Sequence, residues 1–99
     1  MYDNVIHREV VLVYFDDLIW DDWNEAHIAR HHVRIVEATA AVAEAAFMTK
    51  GRDDTYQLVG ETIAGRSLFV VLARRGGHVY YVVSARDATR GEQRTYRRK

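Results

Sequence analysis

The stretch GRSLFVVLARRGGHVYYVVSAR, residues 65–86, decides how this 99-residue chain folds. Two apolar runs rich in β-branched and aromatic residues, 67–73 and 78–85, flank the tripeptide RGG at 75–77. Such runs have the composition of strands, and paired glycines supply the positive φ that a tight turn needs. The stretch therefore predicts a β-hairpin of two antiparallel strands.

Further elements extend the hairpin on both sides. Residues 56–61 predict a third strand, joined to the hairpin through a turn at 64–65. On the other side, Thr89 is followed three residues later by Glu92, a capping-box pattern that opens a short helix ending near residue 98. The second half of the chain is thus predicted to be three antiparallel strands followed by one helix.

The first half of the chain has a helical pattern. Asp22 and Glu25 have capping-box spacing and predict the start of a first helix, preceded by a short strand at 18–20. Apolar residues at helical spacing predict a second helix over 33–47, which the Lys-Gly pair at 50–51 would end.

Together these elements predict a single α+β domain in which helices pack against a sheet. Trp20 and Trp23 are expected to be core anchors. Residues 9–15, EVVLVYF, are apolar and β-branched, and predict either an extra strand or an N-terminal arm. The chain is therefore divided into an arm or extra strand at 1–17 and a main domain at 18–99.

Composition excludes several functional classes. There are no cysteines, so the chain has neither a disulfide framework nor a thiolate metal site. Apolar residues make up 48% of the chain, enough for a core, and no apolar run approaches the roughly 20 residues of a membrane span. No signal peptide is recognisable, so the sequence predicts a cytoplasmic protein without a membrane partner.

The charges are unevenly distributed although the net charge is zero. Residues 1–50 carry nine acids and four bases, a balance of −5, whereas residues 51–99 carry ten bases and five acids, a balance of +5. Such a dipolar chain is suited to present a basic face to a polyanion. The alternative is a solvated basic C-terminal region that binds no ligand.

Arg86 ends the last predicted strand, immediately before the capping box. Strand periodicity places it on one face with residues 78, 80, 82 and 84, and close to Arg90 at the start of the final helix. Two guanidinium groups beside a helix N-terminus predict a bidentate phosphate clamp. The alternative for Arg86 is an ion pair with Asp87 or with an acid of the first helix.

Three stretches resemble the BrnT family of toxins: IWDDWNEAHIARHHV at 19–33, the hairpin stretch at 65–86, and ATRGEQRTY at 88–96. The most specific part is the pattern S-A-R-x-A-T-x-x-E-x-x-x-Y, which runs from Ser84 to Tyr96. The resemblance extends from residue 19 to the C-terminus. It implies a RelE-like fold with a small antiparallel sheet, two N-terminal helices and one C-terminal helix.

The resemblance also implies an activity and partners. BrnT proteins are ribonuclease toxins of type II toxin–antitoxin systems, which cleave RNA, arrest translation and are neutralised by a cognate antitoxin. RNA, including ribosome-associated messenger RNA, is therefore an expected partner, whereas DNA is expected only through the antitoxin. The matching positions imply functional roles for Arg86, Arg90 and His31, and make Arg66 and Arg74 further candidates.

These residues suit RNA cleavage by its own 2′-hydroxyl group. Arg86 and Arg90 would stabilise the extra charge on the phosphoryl group, and His31 would transfer protons near neutral pH. This route needs no metal or other cofactor. Arg94 and Tyr80 are further candidates for RNA binding, through phosphate contact and base stacking respectively.

Other roles compete with several of these interpretations. His27 and His31 have the i,i+4 spacing of metal ligands, although no third ligand is evident. Alternatively, His31 packs under the turn between the helices, Tyr80 belongs to the sheet core, and Arg94 complements the helix dipole. His32, where the family usually has glycine, keeps open a second functional hypothesis, a degenerate toxin that binds RNA or antitoxin without cleavage.

Overall fold

The computed structural model describes residues 9–96 of the chain. The predicted arm at 1–17 and the basic C-terminus therefore lie partly outside the described residues. In chain order the elements are β1 (Val10–Leu12), β2 (Asp17–Ile19), α1 (Asp22–Ala29), α2 (Ile35–Glu44), β3 (Phe47–Lys50), β4 (Thr55–Glu61), β5 (Ser67–Gly76), β6 (Val79–Asp87) and α3 (Arg90–Thr95). None of the three helices formed by residues 9–96 is long and apolar enough to cross a membrane.

The six strands form one sheet in the order β1-β3-β4-β5-β6-β2. All neighbouring strands are antiparallel except β2, which runs parallel to β6. The predicted α+β class is confirmed, but the sheet is mixed and larger than the small antiparallel sheet expected. The three expected antiparallel strands form its centre. The pairings of β1, β2 and β3 depend on distant segments, which no local sequence pattern specifies.

The second helix is shorter than the predicted 33–47. The chain leaves α2 at Ala45, whose φ of −64° and ψ of 141° are extended. The next residues form β3, so Lys50 and Gly51 do not end a helix. Strand β3 pairs with both β1 and β4 and leaves Met48 only 1% exposed. Strand pairing and burial therefore outweigh the helical propensity of the alanine-rich sequence.

The cap of α1 lies one residue earlier than predicted. Asp21, not Asp22, is the N-cap: its Oδ1 accepts from the Asn24 backbone N–H at 2.9 Å, and Asn24 Oδ1 accepts from the Asp21 N–H at 2.8 Å. Asn24 Nδ2 also donates to the carbonyls of Ile19 and Val82 at 3.0 Å each. Because Asn24 is fully buried, this one side chain both caps α1 and fixes it to β2 and β6.

The main core lies between α1, α2 and one face of the sheet. Its largest fully buried side chains include Ile28, Val42, Met48, Leu58, Leu68 and Leu72. Gly60 in β4 allows α2 to pack directly on the sheet, since a Cβ at this position would lie 1.8 Å from the carbonyl oxygen of Ala41. Helix α3 packs on the opposite face, where the Tyr96 hydroxyl lies 2.8 Å from Thr49 Oγ1.

The two tryptophans have different environments. Trp20 packs against the core, in agreement with its predicted role. Trp23 is 63% exposed, so its prediction as a core anchor is wrong. Asn24 and Ile28, one helical turn apart, occupy the buried side of α1, and the adjacent Trp23 therefore points towards solvent.

The predicted hairpin is confirmed, with Gly76 and Gly77 at φ values of 129° and 55°. Strand β6 also contains a β-bulge, because its register against β5 shifts and Val83 has no partner. The bulge buries Ala85 in the core, and places Arg86 on the face occupied by α3. The predicted common face of Arg86 and Tyr80 is therefore wrong.

Candidate active site

Several predicted functional residues meet where β6 ends and β5 begins, a region called the β6 end below. Arg66 connects this region to the turn that follows α1. The Nη1 and Nη2 groups of Arg66 donate to the backbone carbonyls of His32 (2.8 Å) and His31 (3.1 Å), and its Nε donates to Asp87 Oδ1 at 2.7 Å. Nη1 also lies 3.4 Å from Glu37 Oε1. The Arg66 guanidinium thus holds the turn between α1 and α2 against the end of β6.

The carboxylates around Arg66 are ionised at neutral pH. The hydrogen bond from Arg66 lowers the pKa of Asp87, and two neighbouring histidines lower it further. The pKa of Glu37 is lowered chiefly by the hydrogen bond from the Arg34 backbone N–H, and then by Arg66. Arg66 is therefore neutralised by the protein itself, an arrangement that favours an anchoring role over the predicted RNA contact.

Arg86 is held in one orientation by three kinds of contact. Its Nη2 and Nη1 donate to the two carboxylate oxygens of Glu92 at 2.7 Å and 2.9 Å, and Nη1 also donates to the Asp87 carbonyl at 3.0 Å. The guanidinium lies 4.5 Å from the ring centroid of Phe69. Nε–H and one Nη2–H make no hydrogen bond with residues 9–96, and these two donors share one edge of the group. That edge can chelate two phosphate oxygens.

Glu92 has two functions in this arrangement. The predicted capping box is confirmed: the Thr89 N–H donates to Glu92 Oε1 at 2.9 Å, and the Glu92 N–H donates to Thr89 Oγ1 at 3.1 Å. The hydrogen bond from Arg86 is the main cause that lowers the pKa of Glu92. The partner of Arg86 is therefore Glu92, rather than the Asp87 carboxylate or an acid of α1.

His31 lies in the turn after α1 with an exposed side chain, so it does not pack beneath that turn. Its ring is edge-on to His27, with centroids 6.0 Å apart. The next residue, His32, has a φ of 59°, the left-handed conformation expected from a family that usually has glycine there. The carbonyls of both turn residues point at Arg66, and the His31 imidazole stays accessible.

Arg90 and Arg94 are both exposed on α3. Neither makes a side-chain hydrogen bond or ion pair with any residue that the structure describes. Arg90 is the first residue of the helix whose cap includes Glu92, the partner of Arg86. These two cations are therefore available to an anion approaching the β6 end.

Arg74 lies far from this region. It pairs with Asp54 at 3.3 Å and donates to the Gly77 carbonyl at 3.3 Å, beside the hairpin turn. Arg86 is opposite Phe69, five residues earlier in β5 than Arg74, which is on the order of 16 Å along a strand. The structure does not bring Arg74 together with Arg86.

Tyr80 is also separate from the β6 end. Its ring is 3% exposed on the core face and packs edge-on against Tyr56, with centroids 5.8 Å apart. A buried ring cannot stack on a base, so the core interpretation of Tyr80 is the one that the geometry favours.

Sequence reasoning missed two contributors to this region. Phe69 carries no signal in the sequence, because only the bulge in β6 places Arg86 beside it. Glu92 is predicted as a cap, but not as the partner of Arg86. Glu92 follows Arg86 by six residues, with the end of β6 and the cap of α3 between them. Once β6 and α3 are assigned from the sequence, this spacing indicates that the two side chains can pair.

A separate cleft contains none of the predicted catalytic residues. It has a volume of about 430 Å³, lies between the end of α2 and α3, and is lined by Glu44, Ala45, Ala46, Val59, Gly60, Glu61, Ser67, Gln93 and Tyr96. Within residues 9–96, no group of three or more His, Asp or Glu side chains is arranged to hold a metal ion.

Comparison with known proteins identifies the family. A family model described as "Ribonuclease toxin, BrnT, of type II toxin-antitoxin system" matches residues 20–92. No match was found among curated proteins or among solved structures. The matched range includes α1, α2 and the strands of the β6 end, but not β1. The division of the chain after residue 17 stays a prediction. The chain belongs to the BrnT family of ribonuclease toxins, which act in type II toxin–antitoxin systems with a cognate antitoxin as partner.

Proposed function

We propose that this protein is a metal-independent endoribonuclease whose active site is the β6 end, with Arg86, Arg90 and His31 as its catalytic residues. The observation that carries the proposal is the geometry of Arg86. Glu92 fixes one edge of its guanidinium through two hydrogen bonds, and the Nε–H/Nη2–H edge makes no hydrogen bond with residues 9–96. A preorganised bidentate donor is what a phosphoryl group gaining negative charge requires.

The reaction is an attack by the RNA's own 2′-hydroxyl group. A base removes the hydroxyl proton, O2′ forms a bond to phosphorus, and the P–O5′ bond breaks while an acid protonates the leaving O5′. The products are a 2′,3′-cyclic phosphate and a 5′-hydroxyl end. The extra negative charge that develops on the phosphoryl oxygens is neutralised by Arg86 and Arg90.

His31 is assigned the proton transfer because its imidazole is accessible and Arg66 links its backbone to the residue next to Arg86. Arg66 donates to the His31 carbonyl and to the carboxylate of Asp87, the residue next to Arg86. Imidazole exchanges protons near neutral pH, which suits both a base and an acid. Arg66 therefore acts as a positioning residue in this proposal, rather than as an RNA contact.

Guanidinium groups provide the positive charge that a metal ion provides in other nucleases, which is the basis for proposing metal independence. RNA is the substrate, and cleavage of messenger RNA in the cytoplasm would arrest translation. An antitoxin whose acidic side chains occupy the open edge of Arg86 would block phosphate binding. Contact with DNA would then arise only through the antitoxin. A RelE-like arrangement of the fold remains part of this proposal.

The test is incubation of the purified protein with an end-labelled messenger RNA in the presence of EDTA. The variants are Arg86→Ala and His31→Ala. The matched control is Arg52→Ala, an exposed arginine in the turn before β4, at the opposite end of the sheet. We expect cleavage with EDTA, at least about a tenfold loss in both site variants, and wild-type cleavage in the control.

Three results would contradict the proposal in different ways. Cleavage that disappears with EDTA would refute metal independence alone. Full activity of His31→Ala would remove His31 from the mechanism. Binding without cleavage by the wild-type protein, on free RNA and on ribosomes, would favour the non-catalytic module.

A further inference from the structure

The exposed face of α1 carries a stacked pair of rings that the core does not use. Trp23 is 63% exposed and stacks on His27, with ring centroids 5.1 Å apart and an angle of 6° between the planes. The pair lies in a shallow groove of about 400 Å³ lined by Asp22, Trp23, Ala26, His27 and Arg30. Tryptophan is highly buried on average, so a Trp ring placed at the surface calls for a role other than packing.

A row of aromatic rings leads from this groove to His31 of the proposed active site. The His27 ring is edge-on to His31 at 6.0 Å, so a row of three rings runs along α1 from Trp23 to the proposed proton-transfer residue. The His31 carbonyl is held by Arg66, which also holds the end of β6 beside Arg86. An RNA strand that passes His31 and follows the exposed face of α1 reaches Trp23.

We propose that Trp23, supported by His27, is a stacking subsite for a nucleobase of the RNA substrate, on the His31 side of the scissile phosphate. The inference rests on the proposed function of the β6 end. Aromatic side chains bind single-stranded RNA by stacking on bases, which is tolerant of sequence because every base has a π-face. The stacked His27 holds the indole in place, so less conformational entropy is lost when a base binds.

The charges of the groove favour a base over other occupants. Asp22 lines the groove and would repel a phosphate, but its carboxylate can accept a hydrogen bond from the edge of a base. Arg30, on the other side of Trp23, can contact the backbone or stack on a base. A stable protein partner would call for a larger contiguous apolar patch than Trp23 and Ala26 provide in this groove.

The probe for the experiment is an RNA oligonucleotide methylated at every 2′-oxygen, which binds but cannot undergo the proposed attack. The chain has two tryptophans, so Trp20→Phe leaves Trp23 as the sole indole reporter. We expect saturable quenching of its fluorescence by the oligonucleotide. If Trp20→Phe does not fold, the difference between wild-type and Trp23→Phe spectra gives the same information.

Affinity is measured in parallel by fluorescence anisotropy of a labelled oligonucleotide, and KM and kcat are measured on cleavable RNA. We expect Kd and KM to rise roughly tenfold in Trp23→Ala and in Trp23→Leu, which keeps bulk but has no π-face. Trp23→Phe should stay within about threefold of wild type, and kcat should change by less than about twofold in all three. The control is Leu12→Ala, which truncates a 78% exposed side chain on β1.

The outcomes separate this inference from the proposed function. If Arg86→Ala abolishes cleavage while the Trp23 variants keep wild-type Kd and KM, and Trp23 emission does not respond to RNA, the subsite is refuted and the active site stands. A loss of antitoxin binding alone in Trp23→Ala would assign the groove to a protein partner and also refute the subsite. If the wild-type protein neither binds nor cleaves RNA, both inferences fail.

Discussion

Arg74 at the hairpin end of the sheet and Arg86 at the β6 end have the same side-chain exposure, 38%, but different surroundings. Arg74 contacts one oxygen of Asp54, and that carboxylate also binds Lys50 at 3.1 Å. Arg86 contacts both oxygens of Glu92 at 2.9 Å or less and stacks on Phe69. One guanidinium is part of a solvated, shared ion pair, and the other is fixed in a single orientation.

Two arginines of equal exposure can therefore differ in how firmly their donors are oriented. A monodentate surface ion pair is weak and leaves both side chains free to reorient. A bidentate pair on an aromatic ring presents its remaining donors in a defined direction, which is what recognition of a phosphoryl group needs. If this difference in geometry is also a difference in function, equivalent substitutions at the two ends of the sheet will have unequal effects.

The largest effect is expected for Arg86→Lys. Lysine keeps the charge but cannot bind both Glu92 oxygens and also present a two-donor edge, so kcat/KM for RNA cleavage should fall by about a hundredfold. The equivalent change at the hairpin end, Arg74→Lys, should leave kcat/KM within about twofold of wild type. Equal losses in the two variants would show that bulk positive charge, rather than the fixed edge of Arg86, supports the activity.

The next effect concerns stability rather than activity. Arg66→Ala removes two hydrogen bonds to carbonyls and two contacts to carboxylates, and should lower the free energy of unfolding by about 2 kcal/mol in urea titrations. Arg74→Ala, which loses one exposed ion pair and one carbonyl contact, should lower it by less than half as much. An equal cost at both positions would mean that Arg66 does not hold the β6 end together.

The prediction for Arg66 also marks the limit of sequence reasoning. The hairpin, the strand 56–61 and the capping box of α3 follow from local patterns, because glycine turns and caps are determined by a few neighbouring residues. The contacts of Arg66 join a turn after α1 to the ends of β5 and β6, and no local pattern encodes them. The helix-forming sequence before Phe47–Lys50 likewise does not predict that these residues pair with β1.

The site was only partly predictable for the same reason. The position of Arg86 at the end of β6, beside the α3 cap, follows from the order of elements. The face of the sheet on which Arg86 lies cannot be predicted in this way, because the unpaired Val83 inverts the alternation of side chains in β6. The exposure of Trp23 depends on how Asn24 fixes α1 to the sheet, and Tyr80 is buried against Tyr56. Both are tertiary contacts.

A smaller effect is expected from pH. The hydrogen bond from Arg86 makes the pKa of Glu92 lower in the folded chain than in the unfolded one. Its contribution to stability is therefore present above the ordinary carboxyl pKa, about 4, and is lost as the pH falls through the lower folded value. Glu92→Gln should cost about 1 kcal/mol at pH 7 and less as the pH falls below the ordinary carboxyl pKa.

The measurement is the free energy of unfolding from pH 7 to pH 2 in wild type and Glu92→Gln. Asp54 at the hairpin end also has a lowered pKa, chiefly through its hydrogen bond with Lys50, but its side chain is 44% exposed. Asp54→Asn should therefore flatten the pH profile less than Glu92→Gln does. If Asp54→Asn flattened the pH dependence of the free energy of unfolding more than Glu92→Gln, the ion pair at the hairpin end would be the stronger of the two.

The smallest effect concerns backbone strain, which also differs between the ends. His32 and Asp53 both have left-handed backbones, with φ values of 59° and 55°. Aspartate tolerates this conformation through local hydrogen bonds of its short side chain, whereas the His32 carbonyl is held in place by Arg66. His32→Gly should relieve the strain and raise the stability by about 0.5 kcal/mol, or Tm by about 2–4 °C. Asp53→Gly should raise Tm by less. Because Arg66 binds the carbonyl of His32, which glycine keeps, His32→Gly should also keep wild-type RNA cleavage. A loss of activity with a raised Tm would assign the His32 imidazole a part in the reaction.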